Sequence, residues 1–102
     1  MFGLLQKLFG PKVDFKALAA AGAVIIDVRT PEEFRAGHIK QSVNIPLQVI
    51  AGKIADLKKK NKPIIAVCRS GARSGTAVGI LKNAGVEAYN GGAWNALDYE
   101  LR

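Results

Sequence analysis

Two uninterrupted apolar runs constrain this chain more than anything else in it. In Ala23-Val24-Ile25-Ile26-Asp27-Val28 the apolar residues are consecutive rather than alternating. A strand of that kind is buried on both faces, as in a parallel sheet covered by helices. A second run, Pro63-Ile64-Ile65-Ala66-Val67, leads directly into Cys68.

Helical patterns alternate with these runs. Asp14 to Gly22 reads as a short helix, with Asp14 as N-cap and Gly22 as its stop. Thr30-Pro31-Glu32-Glu33 opens another that ends near Gly37: Thr30 fits the N-cap, Pro31 the first helical position and Glu33 the reciprocal carboxylate of a capping box. Ser42 to Ile45 is a brief strand closed by Pro46. A longer helix is expected over Gln48 to Lys59, with Ile50, Ile54 and Leu57 on one face. Asn61-Lys62-Pro63 breaks it.

After Cys68 a helix runs to about Asn83 and stops at Gly85, with Ala77, Ile80, Leu81 and Ala84 on its buried face. Val86 to Tyr89 is the last strand, Asn90-Gly91-Gly92 a loop, and Ala93 to Leu101 a terminal helix. The alternation argues for an α/β domain with a parallel sheet and right-handed crossovers. Ligands of such sheets bind at the carboxyl ends of strands, where Cys68 lies.

The chain has 102 residues, 49% of them hydrophobic, which fits one domain with a modest core. Residues 12–102 are assigned to that domain and residues 1–11 to an apolar N-terminal segment. Leu4, Leu5, Leu8 and Phe9 can share a helix face there. The segment lacks a basic leader and a cleavage site, so it reads as a piece that docks on the domain or frays. A membrane-surface or partner-docking helix is the alternative.

No run is long enough to span a bilayer. A single cysteine excludes an intrachain disulfide, and one cysteine with one histidine argues against a protein-only zinc site. An exposed lone thiol suits a reducing, cytoplasmic setting. Net charge is +7, part of it in Lys58-Lys59-Lys60 and Lys62, which read as a solvated helix end. The few aromatics do not interleave with basic residues, so no nucleic-acid partner is expected.

Cys68-Arg69-Ser70-Gly71-Ala72-Arg73 is the stretch with chemistry in it. It joins a strand to a helix through small residues. N–H groups at a helix start are unpaired and carry partial positive charge. A thiol beside them ionises more readily than a free one, and two arginines add planar donors for an oxyanion.

In order and spacing the sequence resembles the rhodanese family, in its single-domain sulfurtransferase form. The resemblance runs from about Val13 to Leu97. It rests on Ile26-Asp27-Val28-Arg29 with Pro31-Glu32-Glu33-Phe34, on Gly37-His38-Ile39 with Asn44-Ile45-Pro46, on Cys68 to Ser74, and on Gly91-Gly92 with Trp94. It implies an α/β fold with about five parallel strands flanked by helices on both faces, and a Cys68 that carries sulfur as a persulfide. No cofactor and no metal are expected.

The chemistry that follows is a two-step transfer. The Cys68 thiolate attacks the outer sulfur of a small anionic donor such as thiosulfate, and sulfite leaves. A nucleophile, cyanide in an assay or a thiol or protein acceptor in the cell, then removes the sulfur. The outer sulfur would sit about 2 Å beyond Sγ. Backbone N–H groups of Ser70, Gly71, Ala72 and Arg73 are expected to ring it.

Counted inclusively, Cys68 to Arg73 is six residues, C-x4-R. Cysteine phosphatases of related fold use a loop one residue longer around a phosphoryl group, so the shorter loop favours a single sulfur atom. A rhodanese-like module that only binds a partner or carries sulfur is the second alternative, and an inert buried cysteine the third.

Arg69 is expected to point outward and attract the donor. For Arg73 a donor-binding role and a structural tie to carbonyls or a carboxylate both stay open. Ser70 either bonds the persulfide or forms the turn, and Ser74 reads as an N-cap. Asp27, buried at a strand end, needs a partner, for which Arg29 is the candidate. His38 is assigned to structural hydrogen bonding and Trp94 to a core anchor at the site rim.

Overall fold

The structure, a computed structural model, describes residues 12–102. The expected N-terminal segment, residues 1–11, lies outside the described residues. Among the latter, four strands form one parallel sheet in the order β2-β1-β3-β4: β1 Val24–Asp27, β2 Val43–Asn44, β3 Ile64–Cys68 and β4 Ala88–Ala93. Around it lie α1 Phe15–Ala20, α2 Pro31–Ala36, a 3-10 helix Leu47–Lys53, α3 Ile54–Lys60, α4 Ala72–Asn83 and α5 Trp94–Glu100.

The consecutive apolar pattern has the cause inferred for it. Ile26, Ile64, Ala66, Cys68 and Ala88 face one side of the sheet, with Ile50, Leu57, Ala77 and Leu81 from the 3-10 helix, α3 and α4. Ile25, Ile65 and Val67 face the other side, with Leu97 of α5, Ile39, and Phe15 and Leu18 of α1. Successive side chains of β1 and β3 therefore enter opposite cores, and all five β3 residues are buried.

Caps are largely as expected. Asp14 accepts from Ala17 N–H at 3.0 Å, and Thr30 with Glu33 closes the full capping box of α2. Three elements differ. The single helix over Gln48 to Lys59 is a 3-10 turn followed by α3. Pro46 starts that stretch and Gly52 interrupts it, which weakens a continuous α-helix. Helix α4 begins at Ala72 with Gly71 as N-cap, so Ser74 lies inside the helix rather than at its cap.

The third difference is β4, which runs through Asn90-Gly91-Gly92 instead of stopping at Tyr89. Its register against β3 jumps between Ala66↔Asn90 and Val67↔Gly92, leaving Gly91 as the bulged residue. A Cβ on Gly91 would stand 2.8 Å from Ile65 Cγ2 and 2.9 Å from Val67 Cγ1. Only glycine lets β4 pass that close to β3.

Candidate functional site

Cys68 is the last residue of β3, which pairs with strands on both sides. Arg69-Ser70-Gly71 lifts the chain off the sheet. Gly71, at φ +99°, makes the left-handed turn that starts α4 and folds the first turn of that helix back over the sulfur. Gly71 N–H donates to Cys68 Sγ at 3.0 Å and Ser74 N–H at 3.4 Å, with the Ser74 hydroxyl also at 3.4 Å.

The residue is 0% exposed, which corrects the expectation of an exposed thiol. The loop and the first turn of α4 cover the end of β3. Burial pushes the thiol up. Hydrogen bonding with the Ser74 side chain, and donation from the N–H groups of Ser74, Gly71 and Ser70, outweigh it and bring the thiol down from 9.0 to about 7. The sulfur is thus buried, yet its surroundings favour the ionised form more than free solution does.

Of the other loop residues, Arg69, Ser70 and Ala72 are exposed, and Gly71 and Arg73 are half-buried. Arg73 grips Glu33 with both terminal nitrogens, Nη1 to Oε1 at 2.7 Å and Nη2 to Oε2 at 3.0 Å. The structural tie left open for Arg73 is therefore made, to a carboxylate. Glu33 also accepts from Thr30 N–H at 3.1 Å. The Arg73 hydrogen bond, then Thr30 N–H, hold its carboxyl down from 4.5 to about 2. Arg69 has no ion-pair partner among the described residues.

Two contributions were not foreseen: Ser74 at the sulfur, and Asn90 behind it. Ser74 turns its hydroxyl inward from α4 and donates it to Asn90 Oδ1 at 2.7 Å. Asn90 also accepts from Gly92 N–H at 2.9 Å and donates Nδ2 to the Gly71 carbonyl at 3.0 Å. Serine after a glycine-bearing loop signals a cap, and Asn-Gly-Gly signals a turn, so both local cues pointed away from the site. Six residues beyond Cys68, one helical turn past Gly71, was the only available hint for Ser74.

Below the loop, Arg29 meets Asp27 through Nη2 to Oδ2 at 2.7 Å and Nε to Oδ1 at 2.9 Å, as expected. Nη2 also donates to the Gly37 carbonyl at 2.7 Å, and the guanidinium lies over the Trp94 ring at 4.7 Å. His38 Nδ1 bonds the Phe34 carbonyl at 2.7 Å and its ring stacks on Phe34. Both pairs build the scaffold and leave the loop free.

Comparison with known proteins agrees with this geometry. The chain is 41% identical over 69 residues to YqhL of Bacillus subtilis (strain 168), covering 67% of this chain and 54% of that protein. To the thiosulfate sulfurtransferase GlpE of Pseudomonas syringae pv. syringae it is 39% identical over 77 residues, covering 74% of this chain and 70% of that enzyme. The chain thus spans about half of the first relative and more of the second. A solved rhodanese with anions from E. coli superposes with a TM-score of 0.67 at 33% identity, covering 72% of this chain and 89% of that one. The profile of the Rhodanese-like domain matches residues 12–96, and the chain belongs to that family.

Proposed function

We propose that the protein is a thiosulfate sulfurtransferase in which Cys68 is the nucleophile and persulfide carrier, and Arg69, Ser70, Gly71, Ala72 and Arg73 bind the donor. One observation carries this reading. Cys68 Sγ is buried at the end of the central strand and ringed by donors that bring its thiol to about 7. Membership of the family and similarity to a thiosulfate sulfurtransferase support it.

In the first step Sγ as thiolate attacks the outer sulfur of thiosulfate. The new Sγ–S bond forms as the bond to the sulfonate sulfur breaks, and its electron pair leaves with sulfite. The outer sulfur is then the anionic atom, and the free N–H groups of the first turn of α4 stabilise it. In the second step cyanide or a thiolate attacks that sulfur, and the Sγ–S electron pair returns to Cys68. The closed loop has to yield for the donor to enter; its exposed residues Arg69, Ser70 and Ala72 suit that movement. Residues 12–102 form the working unit in this reading, in a cytoplasmic setting that keeps the thiol reduced.

Intact-mass measurement after incubation with thiosulfate tests the proposal. The expected result is a gain of one sulfur, lost as thiocyanate on adding cyanide and absent from Cys68→Ser. Absence of adduct and thiocyanate would leave a binding module. Cys68-dependent hydrolysis of an aryl phosphate in their place would mean a phosphatase.

A further inference from the structure

We propose that Asn90 is a positioning residue for the Cys68 sulfur, acting through the Ser74 hydroxyl: it holds the hydroxyl proton, so that Ser74 turns a lone pair toward Sγ. The inference rests on the sulfur chemistry above for its purpose and on hydrogen-bond logic for its content.

The orientation of the Asn90 amide is fixed by two partners that allow no choice. Gly92 N–H can only donate, so the atom at 2.9 Å from it is the amide oxygen. The Gly71 carbonyl can only accept, so the atom at 3.0 Å from it is the amide nitrogen. With Oδ1 thus assigned, Ser74 Oγ at 2.7 Å has to be the donor between them. A serine hydroxyl has one proton. At 3.4 Å from Sγ, Ser74 then offers oxygen lone pairs, which suit a thiol S–H.

The arrangement distinguishes the states of sulfur. As a thiol, Sγ donates to Ser74, and the Ser74 proton stays on Asn90. In a persulfide Sγ carries no charge and makes no demand on that proton. Only the free thiolate calls for the hydroxyl to rotate away from Asn90, and the 2.7 Å bond opposes that rotation. Asn90 therefore raises the free energy of the unloaded thiolate relative to both thiol and persulfide, which favours sulfur staying loaded once transferred.

The charged groups on the elements around Cys68 are Arg69 in the loop, Arg73 on α4 with its partner Glu33 on α2, and Asp27 with Arg29 beside the end of β1. Lys53 ends the 3-10 helix and is exposed, and β4 carries no charged residue. Substituting Asn90 leaves every one of them in place.

Titration of the ultraviolet absorbance of the thiolate, as a difference against Cys68→Ser, tests the proposal without thiosulfate. Asn90→Ala frees the Ser74 hydroxyl for sulfur, and the midpoint is expected to fall by about half a pH unit. In a Ser74→Ala background the same substitution is expected to cause no fall. Asn90→Asp keeps the acceptor and adds negative charge, and its midpoint is expected to rise. If Asn90 merely braced the loop, Asn90→Ala would loosen the donors and move the midpoint upward in both backgrounds. A midpoint unchanged, or raised alike in both, overturns the proposal. Failure of the protein to take sulfur from thiosulfate would not alter these midpoints, so the two readings fail separately.

Discussion

At the residue scale, Glu33 does two jobs with one carboxylate. It closes the capping box of α2 and it holds Arg73 at the far end of the reactive loop. Because its carboxyl titrates near 2 in the fold and near 4.5 otherwise, the unfolded chain binds more protons between those values. Stability from this group is therefore fully present above pH 4.5 and is lost as pH falls toward 2. Glu33→Gln is expected to flatten that slope in chemical denaturation across the acid range. Near neutrality it is expected to lower stability by about 1 kcal/mol, since a partly exposed pair is screened. Equal slopes for both proteins would show that the pair contributes nothing. The sequence made the cap legible because a capping box is local, four residues from end to end. It could not name Glu33 as the partner of Arg73, 40 residues away, because that contact exists only once the sheet brings α2 beside α4.

At the element scale, β4 shows where local cues fail. Asn-Gly-Gly has the composition of a turn, and the strand was expected to stop before it. Pairing with β3 overrides that preference: Gly91 is absorbed as a bulge, and the strand runs on to Ala93. This is what points Asn90 at the first turn of α4. Gly91→Ala is expected to cost about 2 to 3 kcal/mol, because its Cβ would press on Ile65 and Val67 at under 3 Å. Urea denaturation checks this, and a loss under about 0.5 kcal/mol would mean that β4 can shift away from β3. The start of α4 was misread for a related reason. Ser74 is an excellent cap residue, but Gly71 takes the left-handed turn three residues earlier and becomes the cap, and the serine is released to face sulfur. The strands β1 and β3, by contrast, were legible because burial on both faces writes itself into sequence as an unbroken apolar run.

At the scale of the whole molecule, positive charge exceeds negative by seven. On the proposed reading, the net charge of +7 and the exposed Arg69 favour the approach of an anionic donor such as thiosulfate. The rate of sulfur loading from thiosulfate is expected to fall about threefold as ionic strength rises from roughly 0.02 to 0.5 M. In Arg69→Gln that fall is expected to be smaller. Equal salt dependence for both proteins would show that Arg69 plays no part in the encounter. Composition alone made this property readable, since charge needs no fold to be counted.

Cys68 closes a strand that is laced to neighbours on either flank, and its side chain sits among the tightest atoms of the protein. The turn above it is held at Gly71, whose N–H donates to Sγ and whose carbonyl accepts from Asn90 Nδ2. On the proposed reading the sulfur is the fixed point of the site, and a donor reaches it past the exposed Arg69, Ser70 and Ala72. A variant that stiffened that short span is then expected to slow sulfur loading while leaving the sulfur's own hydrogen bonds in place.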